Sequence, residues 1–115
     1  RGADAIIGSL WADVPGRGRT ILLLDGNIGI GGNPVALLRR AGELLAPGGA
    51  IVVETDPPGA PTRRVRIRIE AAECVSDWFR WARVGVDGVG EVARRAGFDV
   101  VSTASIGNRT FVTLR

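Results

Sequence analysis

The sequence predicts an α/β fold whose sheet is mostly parallel and ends in an antiparallel hairpin. Two short aliphatic runs, 21–24 and 50–53, are separated by a segment with helical spacing, which is the pattern of a β-α-β unit. Such a unit is right-handed in nearly all proteins, and its two strands are parallel. Near the end of the chain, two further strand-like segments flank a short turn, which predicts the hairpin.

Length and composition limit the possible functions. The 115 residues suffice for one domain, which we expect to span residues 1–115. The chain has no His and a single Cys, Cys74, so His-dependent catalysis, the usual zinc sites and an internal disulfide are excluded, and we expect no metal. Because Cys74 has no neighbouring base, a nucleophile role is not expected either.

Charge and hydropathy bear on partners and location. All 15 basic residues are Arg, but the net charge of +3 is spread along the chain without the dense cluster of a nucleic-acid binder. An acidic small molecule fits this charge as well as a polyanion does, and we predict a small-molecule substrate and no nucleic acid. No apolar run approaches the roughly 20 residues of a membrane helix and no signal peptide is visible, so we expect a cytoplasmic protein without membrane contact.

The first half of the chain contains the β-α-β unit. Ile21 to Asp25 is predicted as a strand buried on both faces, because four consecutive aliphatic residues leave no polar face. Asn33 is predicted to cap a helix that starts at Pro34. Ala50 to Glu54 is the second buried strand. The helix is expected to end at the Pro-Gly-Gly sequence 47–49, and its apolar positions are Val35, Leu37, Leu38, Ala41, Leu44 and Leu45.

The second half begins with a Pro-rich linker, 56–61. Three Arg residues then alternate with aliphatic residues at strand period, which predicts a strand with an Arg face and an aliphatic face. A solvated face on an edge strand is favoured over recruitment of an acidic substrate by Arg64, Arg66 and Arg68. Asp87 is predicted to cap a helix that stops at Gly97. Strands at 98–104 and 110–114 are joined by a turn at 106–109.

Ligands of parallel α/β sheets bind beyond the carboxyl ends of the strands, where Asp25 and a Gly-rich loop lie. An unpaired carboxylate at the end of a buried strand would cost on the order of several kcal/mol, so we expect Asp25 to have a ligand or loop N–H groups as partner. Glu54 ends the neighbouring strand and is a weaker candidate. The glycines either contact an anion or only permit a tight turn. Pro34 argues against a dinucleotide site built on Gly29-x-Gly31.

The second candidate region is the aromatic segment around Trp78 and Trp81, which also contains Arg80 and Arg83. Aromatic rings beside Arg can form a wall for a planar or acidic substrate. The alternative, which the sequence favours somewhat, is a hydrophobic lid on the sheet.

Several motifs together resemble the C-terminal portion of class I S-adenosylmethionine-dependent methyltransferases, of an actinobacterial type. They are Leu22-Leu-Leu-Asp-Gly-Asn-Ile-Gly-Ile-Gly-Gly-Asn-Pro34, Leu44-Leu-Ala-Pro-Gly-Gly49 and Trp78-Phe-x-Trp-Ala-Arg-Val-Gly85. The resemblance covers nearly the whole chain. It implies a Rossmann-like three-layer architecture in which 21–25 is the fourth strand, 50–54 the fifth, and 98–104 and 110–114 the sixth and seventh.

The resemblance also implies site residues but names no catalytic residue. The cofactor, S-adenosyl-L-methionine, would lie against Ser9 and Leu10 near its adenine and against the turn Asp25, Gly26 and Asn27. Ser9 stands where the family tends to have Asp. The acceptor would lie against Trp78, Trp81 and Arg83.

The resemblance leaves two functions open. One is a methyltransferase domain for an unknown small-molecule acceptor, and the alternative is a non-catalytic methyltransferase-like remnant or assembly module. The glycine motif of the first strand does not occur in the chain, so we expect weak or absent cofactor binding. The fourth strand is central in the superfamily, so an unpaired edge at 21–24 is expected to pair with Ala5 to Leu10 or with a second copy as a homodimer.

Overall fold

The computed structural model describes residues 18–115 of the chain. Among these residues, no helix has the length and apolar character needed to cross a membrane. A short 3-10 segment, Asn27–Gly32, lies between the first strand and the first helix. The strands are β1 (Gly18–Leu23), β2 (Leu45–Thr55), β3 (Arg63–Ile67), β4 (Glu70–Ala71), β5 (Cys74–Val75), β6 (Phe79–Arg83), β7 (Val100–Ile106) and β8 (Arg109–Leu114), and the helices are α1 (Pro34–Glu43) and α2 (Val89–Arg95).

The main sheet has the strand order β1-β2-β8-β7. β1 and β2 are parallel, whereas β8 is antiparallel to both of its neighbours. Three of these four strands therefore run in one direction, and β8 returns between β2 and β7. The predicted α/β fold with a mostly parallel sheet and a terminal hairpin is confirmed.

Several predicted boundaries are wrong by a few residues. β1 ends at Leu23 rather than at Asp25. The first helix ends at Glu43, because the N–H of Leu44 turns back to the carbonyl of Ala41 at 3.0 Å, and Leu45 already belongs to β2. The Pro-Gly-Gly sequence 47–49 consequently lies within β2 and does not end the helix.

The two helix caps had different outcomes. The Asn33 side chain accepts a hydrogen bond from the Ala36 N–H at 3.1 Å, so the predicted cap is confirmed, with Pro34 in the first helical position. The predicted Asp87 cap is wrong. Its carboxylate accepts a hydrogen bond from the Gly59 N–H at 2.7 Å, and the residue before α2 is Gly88, which provides no side-chain cap.

One face of the sheet is covered by both helices. In the register of the sheet Leu23, Val53 and Val112 lie side by side on this face, where they are buried. Leu22 points to the opposite face and is 58% exposed, so the prediction of a strand buried on both faces is wrong for the described part of the chain. The core contains Ile28, Leu37, Leu38, Ala41, Val89 and Ala93 together with Ile51 and Leu114.

β1 forms one edge of the sheet among the described strands. Its predicted partner within the chain, Ala5 to Leu10, lies outside the described residues. The predicted homodimer through this edge stays a prediction.

Between β2 and α2 the chain forms an antiparallel ribbon of β3 and β6, which we call the ribbon. The Asp56 N–H donates to the Val84 carbonyl at 2.8 Å, and the Val86 N–H donates to the Asp56 carbonyl at 2.9 Å. The chain therefore leaves and rejoins the sheet at one point, and the ribbon is fixed at its base. Within β3, the predicted alternation is confirmed: the Arg side chains are exposed and Val65 and Ile67 are partly buried.

The ribbon packs against the Gly-rich segment 26–32, which we call the glycine loop. A Cβ atom on Gly29 would collide with the carbonyl oxygen of Ala82 and would lie 2.8 Å from Nε1 of Trp81. A Cβ atom on Gly32 would lie 2.9 Å from the Cβ atom of Arg80. Two glycines of the loop are thus required by close packing against β6.

Replacing Gly29 by Ala tests this packing. We expect Gly29→Ala to lower the free energy of unfolding by about 1–3 kcal/mol, because the added methyl group must displace backbone of β6. Gly90 in α2 has open space around it, and the control Gly90→Ala should raise stability by about 0.5–1 kcal/mol. Urea denaturation measures both, and a Gly29→Ala variant as stable as the natural chain would contradict the packing.

Candidate functional site

Three charged residues meet at the edge of the sheet where the parallel strands end. Asp25 follows β1, Glu54 is the second-last residue of β2, and Arg109 begins β8. Because β8 runs against β2, its first residue lies at the same edge as the last residues of β1 and β2. The fold therefore brings two carboxylates and a guanidinium group together from three distant parts of the chain.

The Glu54 carboxylate is the centre of this cluster. Arg109 donates two hydrogen bonds to it, from Nε to Oε2 at 2.9 Å and from Nη2 to Oε1 at 2.6 Å. Oε1 also accepts a hydrogen bond from the backbone N–H of Asp25 at 2.9 Å. The guanidinium group lies 5.2 Å from the ring centre of Phe111 and the Glu54 side chain is only 16% exposed. Paired hydrogen bonds of this kind fix geometry as well as adding energy.

These contacts change the acidity of the pair. The hydrogen bond from Arg109, followed by that from the Asp25 N–H, lowers the pKa of Glu54 from 4.5 to about 2, although partial desolvation opposes the shift. The same pairing raises the pKa of Arg109. Because a carboxylate with so low a pKa is a weak base, Glu54 is suited to holding structure and not to accepting a proton.

The sequence analysis predicted that the Asp25 carboxylate is buried and needs a partner. The predicted burial is wrong. The Asp25 side chain is 84% exposed, with one Oδ1 contact to Arg109 at 3.4 Å. Asp25 and Gly26 both have left-handed backbone, with φ of 54° and 79°, and the Asn27 N–H closes the turn on the Leu24 carbonyl at 3.0 Å. This is the backbone of a tight type I′ turn. The buried hydrogen-bonding role that was expected of Asp25 belongs to Glu54.

Beside this turn lies a cavity of about 300 Å³, which we call the edge cavity. It is bounded by the turn after β1, by the end of β2 and by β6 of the ribbon. Asp25, Gly26, Trp81 and Arg83, which the sequence assigned to the two halves of a site, all line it. The remaining lining residues are Ile28, Glu54, Thr55, Asp56, Ala82 and Val84.

Four other predicted residues are not part of the described lining. Asn27 is exposed and does not line the edge cavity. Trp78 is 55% exposed and lies over the guanidinium group of Arg68 at 4.7 Å, outside the cavity. Ser9 and Leu10 lie outside the residues that the structure describes.

The ribbon wall of the edge cavity is held by several contacts. Trp81 packs edge-to-face on Phe79 with 6.2 Å between ring centres, and its indole also lies against the glycine loop. The Nε atom of Arg83 donates to Oδ2 of Asp56 at 3.0 Å, so this cation is neutralised at the base of the ribbon. The buried hydroxyl of Thr55 has no hydrogen-bond partner among the described residues. The wall therefore offers a flat aromatic surface with a polar floor.

Within residues 18–115, the backbone of the Asp25–Gly26 turn and the Asp25 carboxylate present polar groups at the edge cavity. No group of three or more His, Cys, Asp or Glu side chains in this part of the chain is arranged to hold a metal ion. The arrangement suits binding and orientation more than acid–base chemistry.

Sequence reasoning missed Arg109, which it placed in a turn without a role. The signal was present in the predicted hairpin. A strand that runs antiparallel to the other strands of a sheet begins at the edge where those strands end. The first residue of β8, Arg109, therefore lies beside the last residues of β1 and β2.

Comparison with solved structures identifies the fold. The chain is similar to an S-adenosylmethionine-dependent methyltransferase from Bacteroides fragilis, with 18% sequence identity over 92% of this chain and 51% of that protein and a TM-score of 0.69. It is similar to the CcbJ methyltransferase from Streptomyces caelestis, with 14% identity, coverage of 96% and 62%, and a TM-score of 0.67. A Burkholderia thailandensis 1,6-didemethyltoxoflavin-N1-methyltransferase has 17% identity, coverage of 92% and 47%, and a TM-score of 0.60.

No protein-family model and no curated protein sequence matches the chain. The structural similarity shows that the chain has the fold found in S-adenosylmethionine-dependent methyltransferases, which confirms the fold that the motif resemblance implied. The actinobacterial type stays a prediction. The chain spans about half to three fifths of the length of the first two of these proteins.

The low pKa of Glu54 predicts a specific dependence of stability on pH. The folded-state pKa lies below the unfolded value, so ionised Glu54 stabilises the fold above about pH 4.5, and this contribution is lost as the pH falls towards 2. We expect Glu54→Gln to destabilise the protein at pH 7 and to remove part of the loss seen between pH 5 and pH 2. Urea denaturation across this range measures the effect.

The matched control for this variant is Glu43→Gln, at the exposed end of α1. It should keep the acid-dependent loss of the natural chain. If Glu54→Gln and the natural chain show the same pH dependence, the Glu54 contacts do not stabilise the fold as described.

Proposed function

We propose that the chain is part of an S-adenosylmethionine-dependent methyltransferase that acts on a small-molecule acceptor, with cofactor and acceptor meeting at the edge cavity. One observation carries the proposal: in a methyltransferase fold, the turn after β1 and the aromatic wall of the ribbon face one cavity at the carboxyl edge of the sheet. Parallel sheets bind their ligands at this edge.

Each wall has a distinct task in this proposal. Asp25 and Gly26 hold the cofactor side, because their backbone is fixed by Glu54 while the Asp25 carboxylate remains exposed. Trp81 provides a flat surface against which a planar acceptor packs. Arg83, held by Asp56, lines the same cavity.

The chemistry requires little from side chains. The cofactor supplies the methyl group, and the transfer requires that the acceptor atom be held in line with it. Glu54 stays ionised and bound to Arg109, so it takes no proton from the acceptor. The chain's own contribution is to orient the two molecules and to limit water beside Trp81, and no catalytic residue is assigned.

The second candidate is a methyltransferase-like module that binds no cofactor and assembles with another chain. The observation in its favour is the open edge of β1 in the described sheet, where Leu22 is 58% exposed. An unpaired strand with an aliphatic face is a template for pairing with a second copy.

Titration with S-adenosylhomocysteine separates the two candidates. We expect the 115-residue chain to bind it weakly, with a dissociation constant on the order of 1 mM or about −4 kcal/mol. The reason is that these residues do not include the glycine motif that follows the first strand of the methyltransferase superfamily. NMR should show shifts of the Asp25 and Gly26 amides and of the Trp81 indole N–H, and Asp25→Ala should reduce them.

The control variant is Asp99→Ala, whose exposed side chain lies before β7. It should leave the titration unchanged. If millimolar S-adenosylhomocysteine shifts none of the signals around the edge cavity, either in this chain or in a version extended by the N-terminal half of the methyltransferase fold, the methyltransferase proposal is contradicted and the assembly module is favoured.

A further inference from the structure

We propose that a second cavity, next to the edge cavity, binds a phosphate group of the acceptor. This open cavity of about 530 Å³ lies between the glycine loop and the ribbon, and we call it the basic groove. The identity of the ligand as the methyl acceptor rests on the proposed function, whereas the phosphate site itself stands on the features below. The residues that carry the proposal are Arg64, Arg66, Arg80, Gly31, Gly32 and Asn33.

Three guanidinium groups are concentrated on one face of the ribbon. Arg66 of β3 is paired in register with Arg80 of β6, and Arg64 lies two residues from Arg66 on the same face. Like charges directly opposite each other in an antiparallel pair destabilise it. A bound anion would remove this repulsion.

Two nearby Arg residues are compensated by a carboxylate, whereas among residues 18–115 Arg64, Arg66 and Arg80 are not. Arg68 pairs with Glu70 at 2.7 Å and Arg83 pairs with Asp56 at 3.0 Å. Arg64, Arg66 and Arg80 make no ion pair with any residue in the described part of the chain, and no acidic residue of that part lines the groove. An edge strand can carry charge simply to deter aggregation, but here the charges line a groove with a second wall.

That second wall also favours an anion. It consists of the last glycines of the loop and of Asn33 at the start of α1, a helix of ten residues. The N-terminus of a helix carries a partial positive charge. Gly31 has a positive φ angle of 80°, no side chain and open space around its Cα atom, so a ligand can approach the backbone closely there.

Positive charge extends beyond the groove. A neighbouring cavity of about 280 Å³ shares Asn33 and Arg64 with it and is also lined by Arg39, Arg63 and Arg95. None of the described residues that line this cavity is acidic. The two cavities thus form a continuous basic surface around the start of α1.

The charge and the position indicate the class of ligand. Three guanidinium groups exceed the charge that one carboxylate neutralises, and Arg binds phosphate oxygens in a bidentate manner, so a phosphate monoester or diphosphate fits best. Trp81 lines both the basic groove and the edge cavity. A small phosphorylated molecule could therefore place its phosphate in the groove and its acceptor atom beyond Trp81.

The test uses pyrophosphate and the 115-residue chain, followed by calorimetry and by NMR of the Arg side chains. We expect one site whose affinity falls as salt is added, since the contacts are exposed charges. The variant Arg66→Glu places a carboxylate opposite Arg80, which should keep or raise stability. The same variant should weaken pyrophosphate binding by at least about tenfold.

The control is Arg94→Gln on α2, which removes a positive charge that lines neither of the two basic cavities and should leave binding nearly unchanged. Wild-type affinity in Arg66→Glu, or no pyrophosphate binding by the natural chain, would overturn the proposal. Malonate that binds as tightly as pyrophosphate would overturn the phosphate assignment. If a short single-stranded RNA displaces pyrophosphate at a lower concentration than pyrophosphate itself requires for binding, the small-molecule assignment is overturned and the ligand class is a nucleic acid.

These outcomes are independent of the cofactor. Failure of the methyltransferase proposal appears in the S-adenosylhomocysteine titration, in which the groove takes no part. Failure of the phosphate site appears in the pyrophosphate titration alone.

Discussion

The carboxylate of Glu54 holds together the edge of the sheet at which the parallel strands end. Its two oxygen atoms accept hydrogen bonds from the backbone of the turn after β1 and from Arg109 at the start of β8. Three segments that are far apart in sequence are thereby joined at one point of the sheet. The turn at Asp25 has left-handed backbone, which a non-glycine residue adopts at a cost, and the hydrogen bond that its N–H donates to Glu54 holds it there.

The ribbon gives this edge its second wall. Its base is fixed by the two hydrogen bonds between Asp56 and the strand-like segment 84–86, and its β6 strand packs on the glycine loop so closely that Gly29 admits no side chain. Trp81, on β6, lies against the glycine loop and lines both the edge cavity and the basic groove. The packing of the ribbon therefore sets the shape of both cavities.

Local features of the sequence were predicted well because their causes are local. The Asn33 cap and Pro34 act within one turn of helix, and the alternation in β3 follows from strand geometry alone. Asp87 failed as a cap because its carboxylate is engaged by Gly59, 28 residues away, which no local pattern reveals. Leu22 was expected to be buried, but the described helices cover only the other face of the sheet.

The site shows the same division between local and distant causes. The turn at 25–26 and the aromatic segment were recognised from residue types, and the structure places Asp25, Gly26, Trp81 and Arg83 on one cavity. The roles of Glu54 and Arg109 depend on the pairing of β2 with β8, which places residues 55 positions apart within hydrogen-bond distance. Pairing of this kind follows from topology, and periodicity alone does not specify it.

The role of Glu54 and Arg109 in holding the turn at Asp25 is tested most directly by the rate of hydrogen exchange of the Asp25 amide. This rate is compared in a double-mutant cycle of Glu54→Gln and Arg109→Gln. If Glu54 holds the turn and Arg109 fixes Glu54, each single variant accelerates exchange of the Asp25 N–H. The double variant then exchanges no faster than the faster single variant, because both changes remove the same constraint. Effects that multiply independently, or an Asp25 amide unaffected by Arg109→Gln, would contradict the central role of this pair.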